Sequence, residues 1–262
     1  MYRLLLCLPI CLLMAPHGPE AANEFSPTEG RSFSNEPLPV ADPVQFLGKC
    51  IQRYDEDNIS GYAAVLHKQE RMQSRLQPSE EIEVCFREKP YSVFFHWLRG
   101  TKMADNVLYV QGRNDDKLLV HPSGLAGRFV KAVARDPDGP EARQSGRYSL
   151  KDFGFKKSTE RTYRAWEAAR EKGKLKVQYL GVRRVYESND RPCYTLHRSG
   201  TKPDEEGVTD VTVYIDKETW LQVGTVLKGL DGKLIGEYMF RDIHLNPQFK
   251  PGQFEPAAVT KQ

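Results

Sequence analysis

Apolar and polar positions change rhythm several times along this chain. After Asp42, residues Phe46, Leu47, Cys50, Ile51 and Tyr54 recur every three or four positions, the spacing that gathers side chains on one face of an α-helix. Asp42-Pro43 supplies an N-cap acid and a proline at the first turn, and Asp55 to Asn58 ends the run. The rhythm then shortens to two. Tyr62, Ala64 and Leu66 alternate with Ala63, Val65 and His67, and Ile82, Val84 and Phe86 alternate with Glu83, Cys85 and Arg87. Both runs predict strands buried on one side. Tyr91 to Leu98 is apolar on both faces, with Tyr91, Val93, Phe95 and Trp97 on one and Phe94 and Leu98 on the other. Such a strand is covered on both sides. Val107 to Gln111 and Lys117 to His121 predict a hairpin around Arg113-Asn114-Asp115-Asp116.

The middle is less periodic. Leu125 to Arg135 reads as a short helix, and Asp136-Pro137-Asp138-Gly139-Pro140 as a loop. Ser158 begins a longer helix, with Glu160 in its first turn, Tyr163, Trp166 and Ala169 on one face, and Gly173 closing it. Strands return at Leu175 to Glu187, Pro192 to Arg198, Val208 to Asp216, Trp220 to Lys228 and Leu234 to Leu245. The turns between them are short, which makes sequential strands antiparallel neighbours. The last run is stopped by Asn246-Pro247 and followed by Phe249 and Phe254; it reads as the closing strand of a curled sheet. Helices do not alternate with strands, so a parallel βαβ sheet is not expected. The expectation is an α+β fold: an incomplete antiparallel barrel of about ten strands with two or three helices on its concave face.

The N-terminal segment predicts export from the cytoplasm. Behind Arg3, Leu4 to Ala15 is an apolar run too short to span a bilayer, followed by Gly18, Ala21 and Ala22. That is the pattern of a signal peptide over residues 1–22. Residues 23–41, rich in Pro, Ser, Glu and Asn, read as a disordered linker, residues 42–256 as the folded domain and 257–262 as a tail. The expected location is periplasmic or secreted. A formal charge of +3 with both signs mixed gives no steering toward nucleic acid. Cys50, Cys85 and Cys193 remain after the leader. They read first as small buried hydrophobes, with a Cys85–Cys193 cross-sheet pair as the alternative.

Catalytic signatures are missing. There is no GxSxG, HExxH, P-loop or GxGxxG motif, and none of the six histidines pairs at a metal-ligand spacing. Asp115-Asp116 reads as turn residues, Asp204-Glu205-Glu206 as a solvated loop, and the basic stretch of Lys172, Lys174, Lys176, Arg183 and Arg184 as a solvated face. The domain reads as non-enzymatic, with no cofactor and no metal.

Several segments carry a resemblance. The ending Phe240 to Pro247 with Phe254 resembles the LolA/LolB-like lipoprotein-carrier superfamily. Ser60 to Val65 followed by Gln69-Glu70-Arg71 is similar to the first strand of periplasmic sensors of the RseB/MucB type. Residues 42–256 resemble the bacterial domain of unknown function 1571 family, through Lys89 to Val93, Val107 to Gly112 and Tyr148 to Phe155. The resemblance implies a LolA-like sheet around an apolar cleft, and a ligand that is a lipid or a lipoprotein acyl chain. An envelope protein partner bound by the same scaffold is the alternative. On that fold Tyr91, Phe94, Phe95, Trp97, Trp166 and Phe240 would lie between sheet and helix. They would serve either as ordinary core or as the lining of a ligand cleft.

Overall fold

Asp42 caps the first helix as its position before Pro43 predicts. Its carboxylate accepts the N–H groups of Val44 and Gln45 at 3.0 and 2.9 Å, and helix α1 (Pro43–Glu56) follows. The computed structural model describes residues 41–100, 103–204 and 206–260, all within one compact unit. The expected leader, and all of the expected linker but Ala41, lie outside the described residues.

Strands β1 (Gly61–Met72), β2 (Arg75–Leu76), β3 (Glu80–Arg87), β4 (Ser92–Arg99), β5 (Ala104–Val110), β6 (Leu118–Pro122) and β7 (Val133–Arg135) make the first meander. Strands β8 (Val177–Val185), β9 (Arg191–Arg198), β10 (Asp210–Asp216), β11 (Gln222–Lys228) and β12 (Leu234–Leu245) make the second. Together they form one 12-stranded sheet in the order β7-β6-β5-β4-β3-β1-β12-β11-β10-β9-β8, with β2 set beside β1. All pairs are antiparallel, and among the described residues β7 and β8 do not pair, so the sheet stays open. The expected strand count was short by β2 and β7, which are too brief to show a period.

The final strand does not close an edge. β12 pairs with β1 from Tyr62↔Leu245 to Glu70↔Gly236 and is the seam between the two meanders. Asn246 locks the end of that seam. Its backbone turns to a φ of 50°, its side-chain oxygen accepts Ser60 N–H at 2.7 Å, and its own N–H donates to the Gly61 carbonyl at 2.8 Å.

Two layers cover the sheet. On one face, Val44, Phe46, Leu47 and Cys50 of α1 share a core with Leu196, Val213 and Ile215 of the second meander. Trp166 of α4 (Phe155–Glu171) joins them. This helix starts three residues before the expected Ser158, because Gly154 turns the chain at a φ of 123°. A Cβ at Gly154 would sit 3.3 Å from the Phe86 ring and 3.4 Å from the Tyr62 hydroxyl. On the reverse face, Phe249 and Phe254 meet edge to face at 5.0 Å over Cys85, Phe94, Leu108 and Val110. The expected tail takes part: helix α5 (Pro256–Val259) buries Val259, whose carbonyl accepts the Asn106 side-chain amide at 2.9 Å.

The expected helix over Leu125–Arg135 is split. Helix α2 (Gly124–Phe129) ends early, and Val133–Arg135 pairs with β6 through Val120↔Val133; the free edge of β6 offers backbone partners that a continued helix would leave unused. A second short helix, α3 (Pro140–Ser145), follows the expected loop. All three described cysteines are buried and free. Cys85 and Cys193 lie on strands five steps apart in the sheet, about 24 Å along it and far beyond the ~7 Å that a disulfide allows. Burial pushes the Cys85 thiol up to about 11 and the Cys193 thiol up to about 12, as expected of small hydrophobes rather than nucleophiles.

Candidate functional site

Aromatic and branched residues on the helix-covered face do not fill the space beneath the helices. They line a cavity of about 780 Å³ that is open to solvent on one side. The first meander supplies Leu66, Phe95, Trp97 and Val107; the seam and β11 supply Tyr238, Phe240 and Leu227. The roof is Leu150 and Phe153, ahead of α4, with Arg161, Ala165 and Trp166 of α4 itself. Phe153 stacks edge to face on Phe95 at 4.9 Å and lies 6.0 Å from Phe240.

Four of the six expected aromatics therefore line one cavity: Phe95, Trp97, Trp166 and Phe240. Tyr91 lies on the same face but acts on the roof. Its buried hydroxyl is shared between the carbonyls of Leu150 at 2.7 Å and Phe153 at 2.8 Å, which pins the 3₁₀ turn Leu150–Asp152 in place. Phe94 is a correction. Successive strand residues point to opposite faces, and Phe94 is packed on the reverse side under Phe254.

The cavity has a polar end that the sequence reading missed. Glu70 is only 4% exposed. Its Oε1 accepts the Tyr238 hydroxyl at 2.5 Å and the Arg147 N–H at 3.3 Å, and its Oε2 lies 3.5 Å from Lys68 Nζ. Lys68 also meets Glu80 at 2.9 Å. Arg147 donates to the Glu206 carboxylate at 3.1 Å, and the Arg161 guanidinium lies 4.1 Å over the Tyr148 ring. Burial works to lower the Lys68 pKa, but Glu70 and Glu80 override it and hold the ammonium above its ordinary value. Burial, with the Glu70 charge beside it, pushes the Tyr238 hydroxyl well up. The signal was present: continuing the alternation of Tyr62, Ala64 and Leu66 by two steps puts Lys68 and Glu70 on the same inward face.

Glu70 is occupied by three donors, and the buried thiols and phenols are pushed away from ionisation. Among the described residues no group of three His, Cys, Asp or Glu side chains is placed to hold a metal ion. None of their helices is long and apolar enough to cross a membrane. The cavity is an apolar chamber with a charged and hydroxylated end.

The chain is similar to several solved structures at low identity. The MucA/MucB complex of Pseudomonas aeruginosa matches at 12% identity and a TM-score of 0.49, over 84% of this chain and 63% of that one; this chain thus spans less than two thirds of it. The lipoprotein LppX of Mycobacterium tuberculosis matches at 13% identity and a TM-score of 0.43, over 80% and 99% of the two chains. A LolA superfamily protein of Nitrosomonas europaea matches at 10% identity and a TM-score of 0.35, over 79% and 96%. No curated protein matches the sequence. The family model described as "Protein of unknown function (DUF1571)" matches residues 59–260, and the chain belongs to that family.

Proposed function

We propose that this protein is exported to the cell envelope and holds a lipid or acyl chain in the cavity between its sheet and helices, without catalysing a reaction on it. One observation carries this reading: about 780 Å³ of space walled by Leu66, Phe95, Trp97, Val107 and Phe240 is left unfilled. Protein interiors normally pack to crystal-like density, and a void of this size falls in the roughly 300–1,000 Å³ range of small-molecule sites. Each methylene moved from water into such a chamber brings about 0.8 kcal/mol, so a fatty chain gains affinity without a dedicated polar group. Lys68, Arg147, Tyr148 and Tyr238 at the polar end suit a headgroup. The apolar Leu4–Ala15 run behind Arg3 supports export.

The test is titration of a fluorescent fatty acid onto the mature protein and onto Val107→Trp, which fills the chamber from the β5 wall. The expected result is saturable binding that the substitution weakens about tenfold or more, in line with the methylenes displaced, with an unchanged circular dichroism spectrum. Absence of saturable binding to the wild-type protein would overturn the reading. Co-purification of an envelope protein with a lipid-free cavity would instead favour a docking scaffold.

A further inference from the structure

We propose that α2 and the residues flanking it form a membrane-docking tip, which seats the mouth of the cavity on a bilayer containing anionic lipid. This rests on the cavity holding an amphiphile. The tip is apolar where solvent would select polar residues: Phe129 is 85% exposed, Leu125 72%, Met103 60% and Val130 40%. Leu125, Phe129 and Val130 lie on α2 and just past its end, and Met103 sits at its start, because the Ser123 N–H donates to the Met103 carbonyl at 3.1 Å and α2 begins one residue later.

The outward aim of the side chains is built in. Gly127 presses on β6, and a Cβ there would lie 2.1 Å from the Pro122 carbonyl. Leu125 and Phe129, two residues to either side, are each turned about 200° from Gly127 at 100° per residue and so face away from the sheet. Arg128 and Lys131 are exposed among them, and neither has a carboxylate partner among the described residues. Bulky apolar side chains interleaved with unpaired cations are the chemistry of an interfacial anchor, apolar groups entering the acyl boundary and cations meeting lipid phosphates. The patch also adjoins the cavity: Met103 belongs to both, and Pro122 and Val133, which flank α2 in sequence, line the cavity beside it. A lipid leaving the bilayer would cross from one apolar surface to the other without passing through water. Tyr186 and Leu230, also exposed, sit apart from this patch in turns of the second meander.

The experiment is cosedimentation of the mature protein with phosphatidylcholine vesicles, with and without phosphatidylglycerol, beside fatty-acid titration in vesicle-free solution. The variant is Leu125→Ser/Phe129→Ser, which touches no cavity wall. The proposal expects binding to the anionic vesicles, weaker binding to neutral ones, about a tenfold or greater loss in the double variant, and unchanged fatty-acid affinity in that variant. Phe129→Trp should shift its emission to the blue on anionic vesicles. A double variant that binds vesicles as well as the wild type overturns the proposal. So does a wild-type protein that ignores vesicles but binds fatty acid, which leaves the cavity reading intact. So does a wild-type dimer that ignores vesicles and is dissociated by Phe129→Ser, which would assign the patch to a second copy. Vesicle binding without fatty-acid binding upholds the tip and fails the cavity.

Discussion

Phe94 and Phe95 are adjacent on one strand and have opposite surroundings. Phe94 is sealed on the reverse face by Phe254, Leu108 and Val259. Phe95 stands on the helix-covered face, touching Phe153 and Trp97, with open volume beside it. Both are under a tenth exposed, at 8% and 6%, so burial alone does not distinguish them. What differs is whether the covering segment completes the packing. The Phe249–Val259 segment lies flush on its face, whereas the segment from Leu150 through α4 bridges over its own. A face that is roofed but not filled is where this fold has room for a ligand.

The contrast can be broken most strongly at Phe254. Phe254→Ala should cost about 3–5 kcal/mol, because it opens a void in a packed cluster. The Arg87 guanidinium, 4.4 Å over that ring, would lose its partner as well. Phe95→Ala should cost less, about 2–3 kcal/mol, since its ring already borders open space, yet it should alter fatty-acid affinity while Phe254→Ala should not. Urea denaturation and ligand titration on the same pair of variants would check both halves; equal costs would erase the distinction.

A smaller effect is expected at the polar end. Tyr238→Phe removes one of the donors to the buried Glu70 and should cost about 1–3 kcal/mol, read by the same denaturation. Smallest is the alkaline response of Lys68. Its pKa is raised on folding, so its contribution is fully present below the ordinary lysine value of 10.5 and is lost as pH rises through the folded value. Stability should therefore fall more steeply above that pH in the wild type than in Lys68→Met. Parallel pH curves would show that Lys68 is not held by Glu70 and Glu80.

Local signals were the legible part. Asp42-Pro43 placed α1, and the two-residue alternations placed most strands, because each depends on neighbours within a few positions. Alternation alone also puts Phe94 and Phe95 on opposite sides, so the expectation that both line one cleft went against the strand's own period. Which face stays open was not legible, because it depends on how residues near 150 sit over β4 and how residues near 254 sit beneath it. The Leu125–Arg135 helix failed for a related reason: the free edge of β6 overrides the local preference of Val133 to Arg135. Glu70 was missed because the alternation was followed only to His67, whereas β1 runs five residues further, to Met72.

The β1–β12 seam has a consequence for how the molecule is made. The two strands at the middle of the sheet are separated by nearly the whole domain in sequence, so their pairing carries the largest loop-closure cost and depends on the last strand to be synthesised. Until then each meander is a separate sheet with a raw edge, β1 on one and β11 on the other. A chain truncated before Leu234 would keep both edges bare, side by side at the centre, as templates for pairing with other chains.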